Sequence, residues 1–343
     1  MKVRLPDWLR IVLCALALVP AAAAAPGVDY LAKGNDHYFN LEYDEAIEAY
    51  KQLLRERPED PHVYNHLATS VLYKELHRLG LLETSAFKGD NDFLKREKPD
   101  PDPKLKELFL EYLHAGRALA EKRLKQAPKD KQAMLALSQS FGLEANYEFM
   151  VEKSYFSALR NGNRARNFSN KIIKQDPEFV DAYMIAGVHE YVVGSLPWAI
   201  RVLISFGGIS GNKEKGEGYV QRVAENGKTL RNEARALMAL LHRREKRPLE
   251  AAKILQGMMA DFPRNYVVNL EMASMYQDAG EDKRALDAFR EIQRKVSRSE
   301  PGFSRIPVRT REALARKVEA IEEKLAAGPA TQTSAGNDGA TGR

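Results

Sequence analysis

A single cysteine, Cys14, serves all 343 residues, and it sits inside an apolar run near the start of the chain. Beyond that run there is no thiol, which excludes disulfides, thiolate metal ligands and cysteine nucleophiles from the rest of the protein. Charge of one sign is not in excess: 53 Lys and Arg stand against 47 Asp and Glu, for a net +6 with both signs interspersed. That balance shows no nucleic-acid stripe and predicts no nucleic-acid partner. The motifs of catalysis are missing as well. No GxSxG is present, and no sequence motif positions a carboxylate pair. The Gly207–Gly218 segment, GGISGNKEKGEG, fails as a phosphate loop because Gly211 is followed by Asn212 rather than by Lys and Ser or Thr. His62 and His66 stand one helical turn apart, but Val63, Tyr64 and Asn65 between them supply no glutamate base, and no motif places a third ligand. His37, His77, His114, His189 and His242 are scattered. The sequence therefore offers no catalytic residue, no metal site and no cofactor site, and points away from an enzyme.

What is present begins with an address. Met1 to Ala25 has a basic start (Lys2, Arg4, Arg10), an apolar run from Ile11 to Val19 and a small-residue stretch from Ala21 to Ala25. This is the layout of a secretory signal, cleaved after Ala24 or Ala25, and the run is short for a permanent membrane span. Leu13 before Cys14 does not fit a lipoprotein signal. The expectation is an exported chain, periplasmic or extracellular, with an uncleaved inner-membrane anchor as the lesser alternative. Loss of residues 1–25 leaves a net charge of +4.

The body of the chain is punctuated by proline. Arg57-Pro58, Ala127-Pro128, Asp176-Pro177 and Phe262-Pro263 each follow an apolar helix end and precede a new apolar stripe. Proline has no amide proton and disfavours helix in the residue before it, so each pair predicts a helix stop and a restart. Lys171 to Gly194 shows the pattern most plainly, with Ile172 and Ile173 before the break and Tyr183, Ala186, Gly187 and Tyr191 after it. Small residues such as Gly34 and Ala46 recur where paired helices must approach closely. Asn232 to Asn265 and Tyr266 to Ser299 abut without a gap, carrying Ala239, Ala251, Leu255 and Pro263, then Ala273, Gly280, Ala285 and Phe289. On these residues the chain resembles the tetratricopeptide repeat (TPR) family, whose unit is 34 residues long. The resemblance implies an all-α fold: a TPR-like right-handed superhelical solenoid of antiparallel helix pairs with insertions. A one-faced helix from about Val308 to Ala326, apolar at Leu314, Val318, Ile321 and Leu325, is placed to cap its end.

The expected organisation is a signal at 1–25, a solenoid at 26–327 and a disordered tail at 328–343, the tail lacking apolar periodicity. Insertions are expected near 80–103, 141–163 and 195–218. In the second, Tyr147, Phe149, Val151, Tyr155, Phe156 and Leu159 predict lengthened helices and a deeper core. The third contains a helix, Leu196 to Phe206, that is apolar nearly all round. Its side chains Leu196, Trp198, Ile200, Leu203, Ile204 and Phe206 form an apolar insertion, and burial of Leu196, Ile200, Leu203 and Ile204 against neighbouring repeats is expected, with Lys213 to Glu217 as a solvated turn. Ser195, Leu196, Pro197, Gly208, Gly211, Lys213, Glu214 and Gly216 also resemble a stretch of exported bacterial TPR proteins, and more loosely of a eukaryotic TPR family of mitochondrial and lipid-droplet surfaces.

The resemblance implies a binding groove along the first helix of each pair. Register places Asn35, Tyr38, His62, Asn65, Thr69, Gln139 and Tyr191 there. At the positions of a carboxylate clamp stand Leu31, Asn35, His66, Gln132 and Ala136, and only Asn35 fits, so the groove reads as neutral and polar-aromatic. The function expected is a non-enzymatic scaffold that binds a protein or peptide segment. The alternative is a peripheral membrane or lipid-associated protein using the 196–206 helix.

Overall fold

The computed structural model describes residues 28–82 and 97–327; the expected signal and tail, and most of the first insertion, lie outside the described residues. Fourteen α-helices are formed among the described residues. Helices α1 (Tyr30–Phe39) and α2 (Tyr43–Glu56) make the first antiparallel pair, α3 (Pro61–Arg78) and α4 (Pro103–Gln126) the second, and α5 (Lys131–Tyr147) and α6 (Tyr155–Gln175) the third. In the fourth, α7 (Tyr183–Gly194) pairs with α9 (Lys213–Asn226), and the short α8 (Trp198–Ser205) is inserted between them. Helices α10 (Arg231–Arg244) and α11 (Pro248–Asp261) form the fifth pair, and α12 (Tyr266–Asp278) and α13 (Asp282–Ser297) the sixth. Helix α14 (Val308–Ala326) lies on α13 and buries Leu314, Val318 and Ile321 there. Each helix other than α8 packs on its neighbours in sequence, so the chain is an all-α, TPR-like solenoid.

The local chemistry explains the punctuation. Asp29, Asp60, Asp102 and Asp130 cap the helices that follow them, each accepting backbone N–H bonds at 2.8–3.0 Å. Pro61, Pro103 and Pro248 occupy the first turn of their helices, where a missing N–H leaves no bond unmade. Five helices end in one motif, with a left-handed residue at Leu41, Gly80, Lys246, Gly280 or Ser299. In each, the next N–H reaches back to the carbonyl five residues earlier, as in Glu42 to His37 at 2.9 Å and Arg247 to His242 at 2.8 Å.

Pairing depends on small residues. A methyl on Gly34 would lie 2.3 Å from the Tyr50 ring, so glycine lets α2 seat its tyrosine on α1. Between α7 and α9 the backbones themselves touch. A methyl on Gly216 would lie 2.3 Å from the Tyr191 amide nitrogen, and one on Gly187 3.0 Å from the Gly216 carbonyl oxygen. Alanines 46, 68, 120, 251, 273 and 285 fill the corresponding seams with no residual exposure.

The array closes on itself. The α1–α2 turn meets the α11–α12 turn, more than 220 residues away. Arg264 donates to Glu42 at 3.0 Å and to Asp36 at 2.5 Å, and its backbone N–H donates to the Asn40 side chain at 2.9 Å. Asn265 donates to the Phe39 carbonyl at 2.7 Å, and the Phe39 and Phe262 rings stack at 4.7 Å. His77 and the Tyr266 hydroxyl share a hydrogen bond of 2.5 Å, and Arg305 reaches Glu45 at 2.8 Å. Burial opposes ionisation of Glu42, but the bonds from Arg264 and His37 prevail and hold its carboxyl below its ordinary value.

Two of the expectations about insertions are corrected here. Tyr147, Met150 and Val151 do deepen the core, Tyr147 stacking on Phe109 at 5.1 Å, but Phe156 stands 89 % exposed. Residues Lys213 to Glu217 are the first turns of α9 rather than a solvated turn, because Gly216 is buried against α7.

Gly216→Ala should lower stability by roughly 1–3 kcal/mol, since overpacking backbone against backbone cannot be relieved by a side-chain rotation. Gly218→Ala, whose methyl would meet nothing within 4 Å, serves as the control and should not lower the melting temperature. Arg264→Ala should cost on the order of 2 kcal/mol by leaving the largely buried Glu42 without its cation. Hydrogen exchange should then show α1 losing protection before α12 does.

Candidate functional site

By repeat register the first helices of the pairs face the inside of the solenoid, and the residues expected in the groove divide into three groups. His62, Asn65, Thr69 and Gln139 form one network across α3 and α5. His62 Nδ1 lies 3.2 Å from Gln139 Oε1, Asn65 Nδ2 donates to the Ala136 carbonyl at 2.9 Å, and Thr69 Oγ1 donates to the Asn65 carbonyl at 2.7 Å. Asn35 and Tyr38 belong to a second group. Asn35 Oδ1 accepts from the Tyr50 hydroxyl at 2.7 Å, and Tyr38 is buried edge-on against Tyr73 with ring centres 5.6 Å apart. Tyr191 is apart from both, buried and donating to Glu245 at 2.7 Å.

These bonds matter for recognition. Asn35, Asn65 and Tyr191 each spend a polar group on another element, Thr69 spends its hydroxyl on its own helix, and Tyr38, Asn65 and Tyr191 are buried. Buried atoms left unpaired on the first helices include His62 Nε2, Asn65 Oδ1 and Glu233 Oε2. His66, beside His62, stacks flat on Tyr50 at 5.0 Å, and burial lowers its pKa to about 4, so it is neutral at ordinary pH. His189 on α7 is buried with both ring nitrogens unpaired, and burial, helped by the nearby Arg166 charge, lowers its pKa to about 4.

Glu233 is the inner residue that repeat register did not single out. It stands in the first turn of α10, partly exposed as a residue but with its Oε2 buried and unpaired. Burial first, and then the charge of Asp181, push its carboxyl up to about 7. Its charge in turn contributes to raising the phenols of Tyr38, Tyr50 and Tyr73, all of which burial raises first. Asp181 is held by four donors, the N–H groups of Lys228, Thr229 and Leu230 and the Thr229 hydroxyl, at 2.9–3.2 Å. A carboxylate in the first turn of a first helix, where His62 stands in the second pair, was the available sequence signal for Glu233.

The expected burial of Leu196, Ile200, Leu203 and Ile204 is contradicted at Ile200 and met only in part at Leu196 and Ile204. Trp198 is 73 %, Ile200 45 % and Phe206 84 % exposed, while Leu196 and Ile204 are partly buried; the Leu203 side chain lies outside the description. The reason is the neck from which α8 hangs. A methyl on Gly194 would lie 2.5 Å from the Lys213 nitrogen, and one on Gly211 2.7 Å from the Glu190 carbonyl. The backbone thus leaves α7 and rejoins α9 at one point, and the direct α7–α9 contact leaves α8 no seam to enter. Glu190 fastens the neck, accepting from the Asn212 N–H at 3.0 Å and pairing with Arg166 and Lys215 at 3.2 Å.

Among the described residues, no group of three or more His, Cys, Asp or Glu converges to hold a metal, and no helix is long and apolar enough to cross a membrane.

No protein-family model matches the sequence, and no curated relative is detected. Solved structures offer a looser likeness. A thermophilic TPR protein of Thermus thermophilus is 15 % identical, with 73 % of this chain and 98 % of that one covered, at a TM-score of 0.38. A tetratricopeptide repeat protein of Parabacteroides merdae is 17 % identical, with 88 % and 93 % covered, at 0.34. The Cut9–Hcn1 hetero-tetramer of the APC/C is 12 % identical, with 92 % and 59 % covered, at 0.33. The protein class, a helical-repeat solenoid built of TPR-like pairs, rests on the packing described above.

Glu233→Gln gives a pH test of the inner surface. A carboxyl raised to about 7 contributes stability that is full below its ordinary 4.5 and is lost as pH rises through 7. The substitution should remove that slope. Denaturation at pH 5 and pH 8 should therefore show the wild type losing on the order of 2 kcal/mol that the variant does not lose.

Proposed function

We propose that this protein is an exported, non-enzymatic scaffold that holds a segment of a partner protein, and that α8 is its principal docking element. The observation that carries the reading is the exposure of Trp198, Ile200, Val202 and Phe206 on a helix held away from the body by a glycine neck. Apolar side chains so grouped are rare on a soluble monomer unless something covers them. The inner face supports this choice indirectly, since most of the groove residues are occupied with one another. An extended segment entering there must break bonds that the fold already makes.

A second reading is favoured by the same exposure. A helix with Trp198 and Phe206 at its ends, Arg201 between them and no acidic residue from Tyr191 to Lys213 has the composition of an interfacial membrane anchor.

One pair of experiments separates the two. A photo-crosslinking residue in place of Trp198 should trap a discrete protein partner in the envelope of the source cell, and Phe206→Asp should abolish the adduct. Liposome flotation of the chain without residues 1–25 should leave it in the unbound fraction. Flotation on neutral or anionic liposomes, lost in Trp198→Asp, would favour the lipid reading. The absence of both adduct and flotation would sink the assignment of α8 as a docking element.

A further inference from the structure

The outer face of α6 differs in charge from every other outer helix. Over its 21 residues α6 contains no Asp or Glu, yet it carries Arg160, Arg164, Arg166, Lys171 and Lys174. Helices α2, α4, α9, α11 and α13 each carry both signs. Several of them join cations to carboxylates, as Lys51 does to Glu48 and Arg290 to Glu322. On α6 only Arg166, which points inward, makes an ion pair, with Glu190. Arg160, Arg164, Lys171 and Lys174 make none among the described residues.

The four cations are arranged rather than scattered. Phe156, Arg160, Arg164, Asn167, Lys171 and Lys174 are all exposed and recur at three- and four-residue spacing, so they form one ridge along the helix. From Arg160 to Lys174 the ridge extends about 21 Å at the helical rise. Like charges one turn apart repel, costing a few tenths of a kcal/mol per pair, and α6 has no acidic residue to offset it. Beside the ridge is a groove of about 480 Å³ between α4, α5 and α6. Its floor is apolar, with Phe141 and Phe168 stacked at 6.1 Å, and its lining carries two cations, Arg164 and Lys125, against one carboxylate, Glu121. The Arg164 guanidinium lies 5.5 Å from the Phe141 ring centre and the Lys171 ammonium 5.1 Å from that of Phe168. Charge and apolar floor therefore meet along one line.

We infer that the α6 ridge and the Phe141–Phe168 groove are a docking surface for an acidic segment of a partner protein that also bears an apolar side chain. Unpaired cations in a row ask for carboxylates at matching spacing, and the groove asks for a ring or branched aliphatic group beside them. A linear track flanked by a side-chain-sized groove fits a peptide better than a flat bilayer. Four charges on one helix, in a chain of mixed sign, are a small footprint for nucleic acid. The inference rests on the scaffold reading in that the partner is a protein, but it uses a surface distinct from α8.

The test uses the chain without residues 1–25 and a short fluorescein-labelled peptide in which Glu recurs every fourth residue beside a single Phe. Anisotropy should show saturable binding that weakens with salt. A peptide with Lys in place of Glu, and one with Ala in place of Phe, should bind weakly or not at all. Arg164→Glu with Lys171→Glu should weaken binding by at least about ten-fold, or about 1.4 kcal/mol. These side chains are exposed and make no ion pair, so circular dichroism and the melting temperature should stay at wild-type values. Absence of binding to the acidic peptide by a folded chain overturns the inference, as does binding that ignores the charge reversals. Tighter, Arg164-dependent binding to phosphatidylglycerol vesicles or to an oligonucleotide overturns the protein occupant. Failure of both the α8 crosslink and flotation alongside charge-dependent peptide binding removes the α8 assignment and leaves this one standing; an α8 crosslink without peptide binding does the opposite.

Discussion

The contact that closes the solenoid governs the rest of the structure. Six helix pairs curve until the Asn40–Glu42 turn of the first pair reaches the Phe262–Asn265 turn at the start of the sixth, and Arg264 joins them through Asp36, Asn40 and Glu42. A repeat array is ordinarily stabilised only by nearest neighbours. Here the Phe39–Phe262 stack and the bonds of Arg264 add a long-range term that couples the ends. Closure also sets the electrostatics of the inner face. It brings the charge of Glu233 within reach of Tyr38 and Tyr73, which belong to the first two pairs.

Closure shifts the burden of recognition outward. An open superhelix can offer its concave side to an extended ligand, but here the concave side chains bond to one another. Among the described residues the outside has two features left open to solvent, the α8 helix and the α6 ridge, whose exposed cations make no ion pair. Both belong to pairs that carry insertions or extensions between their first and second helices. The α5–α6 connection passes through a π-helical turn at Glu148–Glu152 and a left-handed Lys153, which leaves Tyr155 and Phe156 at the head of the ridge. The fourth pair ejects α8 at the Gly194–Gly211 neck.

Parts of this were legible before any coordinates. Pro58, Pro128, Pro177 and Pro263 mark helix boundaries because the physics of proline is local. Gly34 and Ala46 mark close approach because a short side chain is required wherever two helices touch. The capping helix was readable from one apolar stripe. The α6 ridge was legible too, since 23 residues from Lys153 to Gln175 contain no acid, but averaging charge over the whole chain hides it. Composition misled for α8: an apolar segment reads as buried, yet whether a seam exists to receive it depends on how α7 and α9 meet. Likewise Asn65 and Tyr191 read as groove residues from register, while their burial and bonding depend on Ala136 and Glu245, far away in sequence.

The sequence by itself determined the helices, their pairing and the repeat period, because turn chemistry, capping and small-residue spacing act within one unit or between adjacent ones. Tertiary structure alone decided that the ends meet, that the Glu233 carboxyl is partly buried, that His62, Asn65 and Gln139 bond across α3 and α5 and that α8 stands in solvent. Each of those outcomes is set by the accumulated curvature of six stacked pairs or by a backbone-to-backbone contact. Neither has a local signature, because a small rotation per pair is invisible in any one repeat and decisive after six.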